Sequence, residues 1–188
     1  MKKVLVFLAD GFEEIEALSV VDVLRRADLK CDLCSIESEY VRGTHNIVVK
    51  SDCIIDDINT DEYDAIVLPG GLPGADNLLD SRVKNTAIKF NEEGKIVAAI
   101  CAAPQTLESF GLLEGKKCTS YPGFIEGRDK VEYVEDQVVV CDKNIITSRG
   151  PATALEFAFK ILSELGYEDK SNEIQGDMLL NLYKDFLK

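Results

Sequence analysis

The stretch Lys95-Ile96-Val97-Ala98-Ala99-Ile100-Cys101-Ala102-Ala103-Pro104-Gln105-Thr106-Leu107 constrains this chain more than any other. Ile96 to Ile100 is a compact apolar run, too short for a core helix, and it comes after the turn signal Glu93-Gly94-Lys95. It reads as a buried strand. Small residues and then Pro104 come next, and proline suits a helix's first turn, where its missing N–H costs nothing. Cys101 therefore belongs at a strand-to-helix turn, with its sulfur near free backbone N–H groups. A helix N-terminus carries partial positive charge and lowers a thiol's pKa. Hydrolase nucleophile elbows present their serine in the same way. Free cysteine is also often plain core, so the rest of the chain must decide between a reactive and a structural Cys101.

The chain has 188 residues, enough for one domain with a substantial core. Its 46% hydrophobic and 29% charged content are ordinary for a globular protein. No apolar run reaches membrane-span length, and Asp10, Glu13 and Glu14 break the apolar character of the segment after the basic start, so no membrane partner or secretory signal is expected. That favours the cytoplasm. The net charge of −13 repels phosphate backbones and argues against direct nucleic-acid binding. The six cysteines should then be thiols. Cys31-Asp32-Leu33-Cys34 matches C-x-x-C, but in a strand its two sulfurs face opposite sides, and no second pair completes a zinc site.

Along the chain, Val4–Leu8 reads as a first buried strand. A helical pattern of Ile15, Leu18, Val21, Val23 and Leu24 comes after it. Lys30–Ile36 is a second strand, and Tyr40–Lys50 an extended excursion with a strand at Ile47-Val48-Val49. Ala65–Leu68 is a third buried strand, succeeded by helical pieces at Ala75–Leu79 and Ser81–Glu93. Beyond the Cys101 unit, Cys118–Tyr121 reads as a further strand. Val138–Cys141 and Ile145–Thr147 read as a hairpin. Pro151 opens a long amphipathic helix, and a last helix is expected over Ile174–Leu187. Strands alternating with helices imply an α/β fold with a mainly parallel central sheet. Sites in such sheets lie outside the carboxyl ends of strands. Four strand ends therefore merit inspection, and several should converge in such a fold: Ala9-Asp10-Gly11, Pro69-Gly70-Gly71, Cys101 and Ser148-Arg149-Gly150-Pro151.

Glu13 and Glu14 need no more than the dipole preference for acids in a helix's first turn. Glu16 lies between Ile15 and Ala17-Leu18, residues expected to be packed. A carboxyl group held near a thiolate has its pKa raised by desolvation and like-charge repulsion. Protonated, it can donate a hydrogen bond to sulfur and move a proton during a reaction. Gly70 and Gly71, directly after a strand, let backbone N–H groups approach a ligand and hold an oxyanion with the Ala102 N–H, although taken alone they are better explained by a plain Pro-Gly turn. Pro151 suffices as a helix-opening residue. The single histidine, His45, reads as a surface-loop residue, and nothing in the spacing pairs it with Cys101.

Five motifs in register carry a resemblance. They are Leu8 to Glu16, Val21 to Ala27, Val67 to Gly71, Ala98 to Pro104 and Thr147 to Pro151. Together they resemble the ThiJ/PfpI superfamily, most closely its DJ-one branch, over nearly the whole chain. The resemblance implies a flavodoxin-like three-layer sandwich, with the sheet flanked by helices, usually as a homodimer. It implies Cys101 as nucleophile, Glu16 as its carboxylic partner, and Gly70, Gly71 and Ala102 as the oxyanion pocket, with no metal or other cofactor. Tyr121 and Pro151 are counted with the substrate pocket. Many relatives carry a histidine just before a proline near the cysteine. Here Tyr121 takes that place in Thr119-Ser120-Tyr121-Pro122, and a phenol offers substrate a hydrogen bond rather than a base near neutrality. That argues against a protease or a glutamine amidotransferase, each of which needs a Cys–His pair.

The activity implied is a cofactor-free glyoxalase or deglycase acting on a small dicarbonyl or an early glycation adduct. A stress sensor or chaperone, working through oxidation of Cys101 to a sulfinic acid, stands as the alternative. A binding module with an inert Cys101 is the third reading.

Overall fold

A computed structural model describes residues 1–186 of the chain. The strands are β1 (Lys3–Leu8), β2 (Lys30–Ser35), β3 (Tyr40–Arg42), β4 (Val48–Lys50), β5 (Cys53–Ile54), β6 (Ala65–Leu68), β7 (Ile96–Ile100), β8 (Lys117–Cys118), β9 (Glu132–Tyr133), β10 (Val139–Asp142) and β11 (Ile145–Ser148). The helices are α1 (Glu14–Arg26), α2 (Gly74–Asn77), α3 (Ser81–Glu92), α4 (Ala103–Ser109), α5 (Ala154–Glu164), α6 (Glu168–Asp177) and α7 (Leu180–Phe186). One seven-stranded sheet runs β10-β11-β7-β6-β1-β2-β5, and only its β10–β11 pair is antiparallel. The chain builds outward from β1 through β2 to β5. It then crosses back to β6 and builds the other way. That reversal opens a crevice at the carboxyl ends of β1 and β6, where ligands of open α/β sheets bind.

The central strands are buried on both faces, which is why they read as unbroken apolar runs. Val4, Val6, Leu8, Val67, Ala98 and Ile100 face a core completed by α1 and α5 through Val20, Leu24, Phe157 and Ile161. Leu5, Phe7, Ile66, Leu68, Val97 and Ala99 face the opposite core with Val83 and Phe90 of α3 and Leu107 of α4. The result is three layers. Cys31 and Cys34 fall in different cores, as strand alternation requires.

Some expectations need correction. The last helix is not continuous: Leu179, at φ +59°, takes the left-handed region between α6 and α7, two residues after Asp177. Gly176 weakens the helix just before that break. Leu187 lies outside the described residues. Cys118–Tyr121 is a strand only at its first residue, because the chain then turns toward Cys101. Pro151 opens a single 3-10 turn, Pro151–Thr153, ahead of α5. Ile15 and Leu18 belong to a helical pattern but are 55% and 36% exposed, so α1 has a second apolar face that this chain does not cover.

Phe157 is fully buried on α5 against the sheet. Phe157→Ala should lower unfolding stability by about 3–5 kcal/mol, from lost transfer energy and the cavity left behind. Urea titration monitored by circular dichroism measures this.

Candidate active site

Cys101 sits directly after β7 with φ +65°, the only cysteine in the left-handed region among the described residues. That conformation costs a residue with a side chain roughly 1–2 kcal/mol. Two backbone hydrogen bonds hold it. The Cys101 N–H donates to the Ser148 carbonyl at 3.0 Å, and the Cys101 carbonyl accepts from the Tyr121 N–H at 2.9 Å. The elbow is thereby pinned between the end of β11 and the Tyr121 segment. Helix α4, which comes next, has only seven residues, so its dipole is short, and nearby N–H groups matter more than the helix as a whole. The backbone N–H groups of Gly71 and Ala102 both reach the Cys101 thiol.

Glu16 comes from the first turn of α1 and is fully buried. Its Oε2 accepts the Gly70 N–H at 2.8 Å. Its Oε1 is buried with no hydrogen-bond partner. The Cys101 thiol is the side chain that interacts with the Glu16 carboxyl. Burial raises the Glu16 pKa from about 4.5 to about 7, opposed by the Gly70 N–H and Cys101 and reinforced by the Glu13 charge. Burial and the Glu16 charge likewise push the Cys101 thiol up to about 12, while the Gly71 and Ala102 N–H groups pull the other way. The two groups share one proton problem, since both cannot ionise at low cost in this setting. The thiolate expected from the sequence therefore depends on Glu16 holding the proton. A protonated Oε1 would also satisfy that otherwise unpaired buried oxygen, by donating to sulfur.

Gly70 makes this contact possible. A Cβ there would lie 2.6 Å from the Cys101 Cβ and 2.8 Å from Glu16 Oε2. Gly71 has φ +90°, and a Cβ on it would run into the Gly11 carbonyl. These are therefore not interchangeable turn residues.

A cavity of about 320 Å³ opens over the sulfur, lined by Glu13, Thr44, His45, Gly71, Leu72, Cys101, Ala102, Tyr121 and Phe124. A larger hollow of about 530 Å³ beside Phe159 and Lys160 lies away from this chemistry. The structure thus brings Cys101, Ala102, Gly71 and Tyr121 to one cavity, with Glu16 and Gly70 behind the sulfur. Pro151 is not among the lining residues; it comes after Gly150, whose position abuts the Tyr121 ring. Tyr121 also packs edge-to-face on Phe124, with ring centroids 6.2 Å apart.

Sequence reasoning missed Glu13, Thr44, His45, Leu72 and Phe124. His45 is on an exposed loop, as expected, yet the β3–β4 hairpin carries it to the cavity rim. Glu14 holds it there. The buried Glu14 carboxylate accepts the His45 backbone N–H at 2.8 Å and lies 2.8 Å from His45 Nδ1. Burial raises the Glu14 pKa, but the bonds from His45 and the backbone outweigh it and leave the carboxyl below its usual range. The hydrogen bond to Glu14, and then the Glu13 charge, raises the His45 pKa. The first-turn acids are thus anchors and cavity wall, beyond any dipole role. Gly43 was the available signal, since a Cβ there would collide with the Glu14 carboxylate. Glu13, Glu14 and His45 also place their donor atoms within 4.8 Å of one another, the one group among the described residues with metal-ligating spacing. The hydrogen bond between Glu14 and His45 already occupies two of those donors.

A family model described as the DJ-1/PfpI family matches residues 2–164. The chain belongs to the DJ-1/PfpI family. Within it, this chain is 39% identical to the protein dj-1beta of Drosophila melanogaster over 182 residues, 95% of this chain and 97% of that one. It is 40% identical to a deglycase of Pyrococcus horikoshii over 152 residues, 80% of this chain and 91% of that one. Among solved structures, oxidized DJ-1 of Toxoplasma gondii superposes with a TM-score of 0.89 at 36% identity, covering 95% of this chain and 98% of that one. DJ-1/PfpI membership, with the seven-stranded mainly parallel sheet, makes this a flavodoxin-like α/β fold. No helix among the described residues is long and apolar enough to cross a membrane.

Because folding raises the Glu16 pKa, the folded chain binds a proton more tightly than the unfolded one. Stability from that group is fully present below about pH 4.5 and is lost as pH rises through about 7. The expected loss across that window is about 3 kcal/mol. In Glu16→Gln this contribution should disappear, which chemical denaturation at a series of pH values measures.

Proposed function

We propose that this protein is a cofactor-free, cysteine-dependent glyoxalase or deglycase acting on methylglyoxal-type dicarbonyls or their early adducts. The observation that carries the reading is a buried carboxyl group, with a raised pKa, in reach of an elbow cysteine at the floor of a small cavity. Its family relationship to a deglycase supports the same class.

The Cys101 sulfur adds to the aldehyde carbon, a C–S bond forms, and the carbonyl π electrons move to oxygen. The Gly71 and Ala102 N–H groups are at hand for that oxyanion. Glu16 supplies its proton to the oxygen and becomes a carboxylate. It then takes the proton from the former aldehyde carbon, which leaves an enediolate with its charge on the second oxygen. The proton of the former aldehyde hydroxyl passes to that oxygen, Glu16 returns its own proton to the adjacent carbon, and a thioester remains. Water cleaves the thioester to a 2-hydroxy acid and the free thiol. With a glycation adduct, the amine leaves as a separate product. Tyr121 and His45, which both line the cavity, would hydrogen-bond the substrate's second oxygen. Pro151 shapes the wall indirectly, through the turn that sets Gly150 against Tyr121.

Cys101→Ala should abolish methylglyoxal consumption, and unchanged turnover would remove the reading. A second reading is favoured by the same uncharged carboxyl, which could also donate to a Cys101 sulfinate and stabilise an oxidised sensor form. Low-dose peroxide with peptide mass spectrometry separates the two. Selective Cys101 sulfinate without aldehyde turnover would favour the sensor.

The uncovered face of α1 is the support for a homodimer. Ile15 and Leu18 are exposed there, and Ile47 and Val48 are about half exposed on the adjoining hairpin, which Glu14 ties to α1. Apolar side chains grouped this way mark an interaction surface. Val48→Glu should convert a dimer to a monomer in light scattering while leaving the circular dichroism spectrum unchanged.

A further inference from the structure

Two other cysteines make a separate arrangement at the edge of the sheet. Cys34, on β2, and Cys53, on the two-residue edge strand β5, are direct register partners in a parallel pair. Neighbouring strands lie about 4.8 Å apart, inside the roughly 4.4–6.8 Å Cα separation that a disulfide spans. Side chains at matched positions of parallel strands point to the same face, and both cysteines join the same apolar cluster. The Cys53 thiol donates to the Leu33 carbonyl at 3.8 Å, so its sulfur leans toward β2 beside Cys34. The two thiols are close enough for each to shift the other's pKa. Cys34 is fully buried, whereas Cys53 is partly exposed. One sulfur can meet a small oxidant and the other can only respond to it.

We propose that Cys34 and Cys53 form a reversible disulfide clasp, closed by a hydroperoxide independently of Cys101. The Cys53 thiolate attacks one peroxide oxygen. An S–O bond forms, the O–O bond breaks, and the leaving oxygen takes a proton to become water or an alcohol. The Cys34 sulfur then attacks the Cys53 sulfenic acid. The S–S bond forms, the S–O bond breaks, and hydroxide leaves with the Cys34 proton as water. Both sulfurs are oxidised by one electron each, and the peroxide is reduced by two. Burial raises both thiol pKa values, so the clasp closes faster as pH rises.

The bond would close a loop over residues 35–52, which contains the β3–β4 hairpin. That hairpin carries His45 to the cavity and Val48 to the exposed apolar face. Closing the clasp therefore fixes the base of an element that serves both.

The test uses the full chain carrying Cys101→Ala, which removes the competing sulfur and leaves five thiols. After hydrogen peroxide and denaturing alkylation, two of the five should be protected, and a cross-linked peptide pair should join 34 to 53. Dithiothreitol should restore all five. Cys53→Ser in the same background should keep its four thiols free at the same peroxide dose. Because Cys34 is core, Cys53→Ser is the primary variant, and Cys34→Ala, checked for folding by circular dichroism, is the second. In Cys34→Ala, Cys53 should stop at the sulfenic acid, trapped by dimedone. Overoxidation of Cys53 without any linked peptide overturns the clasp. So does equal thiol loss in Cys53→Ser.

Discussion

Glu16 and Cys101 can meet because Gly70 has no side chain to keep them apart. That close approach sets the chemistry of the site. A carboxyl group on α1 is taken wholly out of water, given one backbone N–H, and left with a thiol as neighbour. Ionising both would place two negative charges in a poorly solvated space, so the pair holds on to a proton well into neutral pH. The backbone adds to the arrangement by fixing Cys101 in a conformation it would not choose. The hydrogen bonds with Ser148 and Tyr121 meet that cost.

The sheet order explains why residues 16, 70, 101 and 148 meet. β1, β6, β7 and β11 are neighbours or near neighbours, all parallel, so their carboxyl ends lie along one edge. Residues as far apart in the chain as Glu16 and Ser148 become adjacent through strand pairing alone. The apolar cores on both faces fix the strands in register, which keeps the site's parts in relation.

Much of this was legible in the sequence where one period or one residue type dominates. β6 and β7 fall on the expected residues because a strand buried on both faces has no competing helical reading. Gly70, Gly71 and Cys101 could be singled out by their places directly after strands, but a plain turn and a core cysteine were open readings too until the close contacts around Gly70 and Gly71 were in view. The burial of Glu16 was also expected, though partly for the wrong reason: Ala17 packs, but Ile15 and Leu18 face outward, and the carboxyl is buried because the helix turns it inward. What the sequence hid were long-range placements. The two-residue strand β5 has too little pattern to stand out, and His45 reaches the cavity only because a hairpin folds over a buried glutamate. The depressed thiol pKa expected at the elbow met a burial penalty that position along a chain cannot reveal.

Helix α1 has two carboxylates doing different work two residues apart. Glu14 ties down the hairpin that forms one side of the cavity, and Glu16 sits against the sulfur. A rigid helix moves both together. Any shift of α1 along its axis therefore alters the width of the opening and the distance over which the proton travels in the same stroke. Under the proposed mechanism, substrate admission and proton delivery would be geared to a single lever, and a partner resting on the outer side of that helix would have its hand on it.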